Sequence, residues 1–114
     1  ILTLDGHRVR SLAEATIDNW LFSNRIIHAY EKEISRDKES WFCDFSIPTE
    51  SNSLVYVELW GLEDEKYVKR KQHKLSLYKK YNLRLVELDL KDLEKLDEVM
   101  KKRLSSHSKI SVLS

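Results

Sequence analysis

The chain has 114 residues, with 20 Lys plus Arg against 19 Asp plus Glu, two Gly, one Pro and one Cys; 41% are hydrophobic and 34% charged. That length predicts one ordinary domain able to bury roughly two thirds of its unfolded surface. A lone cysteine excludes an internal disulfide or a cysteine-based zinc site, no apolar run approaches the ~18 residues of a membrane helix, and the N-terminus lacks a signal-peptide pattern, so a cytoplasmic, non-membrane setting is expected.

The chain begins at Ile1 rather than Met, and residues 1–114 are therefore expected to be one domain within a fragment or partly observed chain. In Ser11 to Phe22, Leu12, Ala13, Thr16, Ile17, Trp20 and Leu21 recur at helical spacing, with Ser11 as N-cap and Glu14 as its capping-box partner. Ile26 to Ile34 reads as a strand running toward an edge, and Ser35 to Ser40 as a polar turn. Trp41–Ile47 and Leu54–Trp60 read as two strands of a hairpin joined by the turn-rich segment 48–53. Gly61 ends the second strand, and acidic residues 63–65 open a helix over Leu62 to Tyr81. A short strand over Leu83 to Leu88 follows. Asp89 or Lys91 then opens a last helix through Leu93, Leu96, Val99, Met100 and Leu104, and the tail from Ser105 is expected to fray. The order αβββαβα predicts an α/β fold, a small mixed sheet of about four strands flanked by helices.

The hairpin carries the first chemical expectation. A turn centred on Ser51 puts Asp44 directly opposite Glu58, with Cβ atoms roughly 4.5–5.5 Å apart, where like charges destabilise unless neutralised. Mg²⁺ is the natural neutraliser, since it takes hard carboxylate oxygens and is commonly held by one or two of them. Alternation places Phe42 and Asp44 on one face with Tyr56, Glu58 and Trp60. A one-residue slip would separate the acids and leave them as solubilising charges. Against that, Glu58 is the lone charge in an otherwise apolar and aromatic strand.

The second expectation is a charge run. Lys66 to Arg84 holds eight basic residues and no acidic one, leaving 12 basic against 19 acidic elsewhere, so the net charge of +1 hides a segregation. Tyr67, Lys71, Lys74, Tyr78 and Tyr81 recur at helical spacing, which puts Lys71 and Lys74 on or beside the aromatic face. Lysines at 66, 69, 79 and 80 read as a solvated face, while the patch as a whole favours a polyanion. The four histidines, His7, His28, His73 and His107, are scattered without metal spacing and read as surface or satisfied core residues, with His73 placed to contact phosphate. Cys43 reads as a buried apolar filler.

Taken together, Ser11-Leu-Ala-Glu14, Tyr30-Glu31, Cys43-Asp44-Phe45, Val57-Glu58-Leu-Trp60-Gly61, Tyr67, Lys74 and Tyr78 resemble the restriction-endonuclease-like nuclease superfamily with the PD-(D/E)xK motif. The resemblance spans Ser11 to Leu88 and implies that superfamily's core. It makes Asp44 and Glu58 metal ligands, with Glu14 a helix-borne acid that helps hold the metal or its water. Cys43 stands where the family usually has Pro, and Trp60 where the motif lysine belongs. Some members carry the lysine on the following helix instead, and Lys74 with Tyr78 fits that spacing best, Lys71 second. The implied function is an Mg²⁺- or Mn²⁺-dependent endonuclease, a hydrolase of nucleic-acid phosphodiesters, expected on DNA, with Lys69, Arg70, Lys71 and His73 binding neighbouring phosphates. The alternative is a catalytically inactive nuclease-fold module for nucleic-acid binding or protein interaction. Specificity is expected from a homodimer or from a fused or partner domain such as a helicase or ATPase.

Overall fold

A computed structural model describes residues 1–61, 65–107 and 110. Ser11 caps the first helix, α1 (Leu12–Ser23), in an extended conformation, its Oγ accepting from the Glu14 N–H at 3.1 Å. The Glu14 carboxylate returns to the N–H of Arg10 (3.0 Å), one residue earlier than a standard capping box would have it. Ile17 and Leu21 are fully buried one turn apart, and Asn24 closes the helix before Arg25 turns the chain with φ +60°.

Five strands follow where the sequence predicts three: β1 (Ala29–Tyr30), β2 (Glu33–Arg36), β3 (Glu39–Phe42), β4 (Phe45–Pro48) and β5 (Leu54–Trp60). The two extra strands come from one bend. β1 pairs with β4 and β2 with β3 in a single antiparallel register that runs through both pairs, but the ribbon folds where Glu31 takes φ +52° opposite Asp44. The backbone stays bonded across that corner, through Glu31 N–H to Asp44 O (2.9 Å) and Cys43 N–H to Lys32 O (3.0 Å). The expected polar turn contracts to 37–38, with Asp37 at φ +52°.

β4 and β5 pair as Phe45↔Val57, Ser46↔Tyr56, Ile47↔Val55 and Pro48↔Leu54, which is the register that sets Asp44 against Glu58. The loop between them is tied by the Thr49 hydroxyl, which lies 3.0 Å from Ser51 Oγ and 2.8 Å from Ser53 Oγ. From β5 the chain crosses through α2 (Glu65–Lys80) to β6 (Arg84–Asp89), which lies parallel to β5. The sheet is therefore mixed and four-stranded, in the order β1-β4-β5-β6, beside the two-stranded β2–β3 ribbon. Residues 62–64, the expected start of the second helix, lie outside the described residues. Asp89 caps a 3₁₀ segment (Leu90–Lys95) in a reciprocal capping box with Asp92, and α3 (Leu96–Leu104) follows. Of the expected frayed tail, Ile110 bridges to Thr49, and 108–109 and 111–114 lie outside the described residues.

Strand alternation sorts the core onto the two faces of the sheet. Val55 and Val57 join Phe45, Ile47, Val86 and Leu88 under α1 and α3, where Ile17, Leu21 and Met100 complete the cluster. Tyr56 turns the other way, to Trp41, Cys43, Leu77 and Tyr78 beneath α2. Each large apolar side chain so buried contributes roughly 1.5–3 kcal/mol. Among the described residues no helix is long and apolar enough to cross a membrane.

Candidate active site

Glu58 emerges on the α2 face of β5 and is 1% exposed. Tyr78 donates its phenol to Glu58 Oε2 at 2.6 Å, and Lys74 Nζ lies 2.9 Å from Oε1. One helical turn separates Tyr78 from Lys74 on α2, so the buried tyrosine fixes the depth at which the lysine reaches the sheet. Burial and the neighbouring Asp44 charge push the Glu58 carboxyl up to about 7, with Lys74 and Tyr78 pulling the other way. Asp44 sits at the corner between β3 and β4, where its Oδ2 accepts from the Leu59 N–H at 2.7 Å. Burial raises its carboxyl above the ordinary range as well, against the opposing effects of the Leu59 N–H and Lys74.

Glu14 completes the acidic wall from α1. It is 7% exposed, accepting the Ser11 hydroxyl at Oε1 (3.3 Å) and the Tyr30 phenol at Oε2 (3.2 Å). Glu14, Asp44 and Glu58 share one cleft of about 670 Å³ with Trp60, Lys71 and Lys74. They are the carboxylates that could hold a hard divalent cation there, and the raised Asp44 and Glu58 carboxyls would gain from a positive neighbour. Trp60 is half-buried, anchored by its indole N–H to Glu87 Oε1 at 3.0 Å. Its ring receives two cations, Lys71 Nζ at 5.3 Å and Lys74 Nζ at 5.8 Å from the centroid. Tyr67 ties the end of β5 to α2, accepting from the Gly61 N–H (3.1 Å) and donating to Leu59 O (3.3 Å).

The basic residues separate by position. Arg70 and Lys71 line the cleft, whereas Lys69 and His73 are exposed on α2 and do not. Lys69 instead lies 3.6 Å from Glu65. Phe42 lines the cleft as well, but the bend before β4 leaves it 56% exposed rather than grouped with Tyr56. Cys43 is 1% exposed, and burial pushes its thiol up to about 12, so it is packing and not a nucleophile.

Sequence reasoning overlooked three contributions. The Tyr30 phenol on Glu14 and the Trp60 ring under two lysines depend on tertiary contacts that no spacing announces. The third corrects the reading of the histidines as scattered: His7 and His28 meet, ring centroids 5.4 Å apart, beside Asp5 and Asp18. No protein-family model, no curated protein and no solved structure matches this chain.

Proposed function

We propose that the chain is a metal-dependent nuclease domain of the restriction-endonuclease-like PD-(D/E)xK kind, with the lysine carried on the helix after the second acidic strand, and that it hydrolyses DNA phosphodiesters. The observation that supports this reading is the contact of Lys74 Nζ with Glu58 Oε1 at 2.9 Å, in a cleft shared with Asp44 and Glu14. A small mixed sheet between helices is the architecture this reading requires.

In this reading Asp44 and Glu58, assisted by Glu14, would hold Mg²⁺ or Mn²⁺, which would supply polarisation of the phosphate and a lowered pKa for an attacking water. Lys74 orients that water or meets the charge that develops on the phosphate oxygens. Tyr78 positions Glu58, and the Trp60 ring holds the ammonium groups of Lys74 and Lys71 at the cleft. Arg70 and Lys71 receive the neighbouring phosphates. A second copy, or a fused or partner helicase or ATPase domain, would supply specificity, and a reducing cytoplasmic compartment suits the free Cys43.

A second reading, a catalytically silent module that binds nucleic acid, is favoured by one observation: Trp60 occupies the strand position of the motif lysine. Cleavage of single-stranded, duplex and branched DNA with and without Mg²⁺ or Mn²⁺ separates the two. The nuclease reading expects metal-dependent cleavage that is lost in Asp44→Asn, Glu58→Gln and Lys74→Met while circular dichroism shows a native fold. Cleavage unchanged in Glu58→Gln refutes it. Salt-sensitive binding with no cleavage under any metal establishes the silent module.

A further inference from the structure

The acidic end of the N-terminal turn, the middle of α1 and the residue before β1 converge on four side chains that play no part in the cleft. Asp5 and His7 come from the turn that Gly6 closes with φ +88°. Asp18 projects from α1 and is fully buried, and the His28 side chain is 4% exposed. Their nearest nitrogen and oxygen atoms all lie within 4.8 Å of one another. His7 Nδ1 lies 2.7 Å from Asp18 Oδ2 and 3.2 Å from Asp5 Oδ2, and His28 Nε2 lies 3.0 Å from Asp5 Oδ2 and 3.3 Å from Asp18 Oδ1.

The hydrogen bonding within this group is incomplete in an informative way. His28 Nδ1 lies 2.8 Å from Ile26 O, and a carbonyl can only accept, so the proton sits on Nδ1. The other ring nitrogen, Nε2, is aimed at the carboxylates of Asp5 and Asp18. Among the described residues neither His28 Nε2 nor Asp18 Oδ1 has a hydrogen-bond partner, although both are buried. Buried polar atoms left without a hydrogen bond are costly, and a cation shared by the four side chains would satisfy them.

We infer that Asp5, His7, Asp18 and His28 form a second metal site, a structural one, selective for a four-coordinate transition-metal dication of the Zn²⁺ class. Two imidazoles with two carboxylates are a donor set suited to Zn²⁺ rather than Mg²⁺. Ligands at about 2.0–2.1 Å around a tetrahedral ion are separated by about 3.3–3.4 Å. The four nitrogen–oxygen separations, 2.7 to 3.3 Å, lie inside or near those edges, with Asp18 reaching His7 through Oδ2 and His28 through Oδ1. The outer contacts are those of a metal site: a carbonyl accepts the far N–H of His28, and the Thr3 hydroxyl holds Asp5 Oδ1 at 2.5 Å, leaving Oδ2 for the ion. The ion would staple the N-terminal turn to α1 and to the lead-in of β1. It does not depend on the nuclease reading, because none of its ligands lines the cleft.

The test is direct. The full chain is stripped with a chelator, given Zn²⁺ or Co²⁺, dialysed, and its metal content measured by mass spectrometry. The expected result is one zinc per chain, retained in Glu58→Gln, with four-coordinate visible bands for cobalt. Affinity should fall by roughly tenfold or more in His7→Ala, whose side chain is 34% exposed and least needed for folding, and by roughly tenfold in Thr3→Val. Nitrogen NMR of the wild-type imidazoles provides a readout that needs no variant, with zinc shifting His7 Nδ1 and His28 Nε2. Zinc binding equal in wild type and His7→Ala, or imidazole resonances of two fully protonated rings that do not respond to zinc, overturns the inference.

Discussion

The strongest quantitative expectation concerns Glu58. Its carboxyl titrates near 4.5 when exposed and at about 7 in the folded chain. An acid whose folded pKa is raised binds more protons in the native state, so the stability it confers is complete below pH 4.5 and is lost as pH rises through 7. Between pH 5 and 8 that loss is about 2.5 kcal/mol, or roughly 1–2 M in the urea midpoint at usual slopes. Glu58→Gln removes the titration, so in chelator the variant should lose less stability than wild type over this interval, and at pH 8 should equal or exceed it. Chelator strips the Asp5, His7, Asp18 and His28 group equally from both proteins, and the difference isolates Glu58 together with the part of the Asp44 shift coupled to it. Adding Mg²⁺ at about 100 times its dissociation constant should then restore about 2.7 kcal/mol at pH 8 in wild type and none in the variant. Urea melts at the two pH values measure all of this. Parallel pH profiles for wild type and Glu58→Gln would refute the argument that burial and Asp44 dominate over Lys74 and Tyr78.

Two further outcomes follow from placement. Met100 is fully buried between α3 and the sheet, so Met100→Ala should cost about 2–5 kcal/mol in a denaturant melt, and a cost below about 1 kcal/mol would show that this face of the core collapses freely. If DNA lies in the cleft, removing Arg70 or Lys71 should each reduce the slope of log affinity against log salt by about 0.9, while Lys69→Ala, outside the cleft and beside Glu65, should change it less. Equal effects at all three positions, read by fluorescence anisotropy across a salt series, would move the binding surface to the outer face of α2.

The register of β4 and β5 was legible because two local features agree on it: a hydroxyl-rich loop that ties itself together and a strand whose lone charge demands burial with a partner. The bend at Glu31 and Asp44 was not. A glutamate with positive φ is disfavoured on its own, and it persists because the Glu31 N–H and the Asp44 side chain both find partners at the corner. A reader of the sequence sees one long strand where the chain has two. The histidine group was hidden for a related reason, since its members lie in three different segments and share no motif. A signal was present in Asp18 all the same: it sits beside Ile17 and one turn from Leu21 on the apolar face of α1, and an acid at a core position of a helix calls for a partner.

Under the proposed nuclease reading, Trp60 is where motif and arrangement are most at odds, and the contacts on α2 are what that reading offers in place of a strand lysine. A lysine two residues beyond Glu58 on β5 would rise from the same face with the strand fixing its root. On α2 the root is fixed by Tyr78 instead, which packs against Trp41 and Tyr56 and bonds Glu58. The Trp60 ring offers its face to Lys74 and Lys71, so in that reading the residue at the lysine's strand position also guides the cations from the helix. Trp60→Lys would therefore crowd a third ammonium beside Lys71 and Lys74 and remove the ring that faces them. In the nuclease reading the tryptophan and the helical lysine therefore act as a pair, and a change at either should be felt at the other.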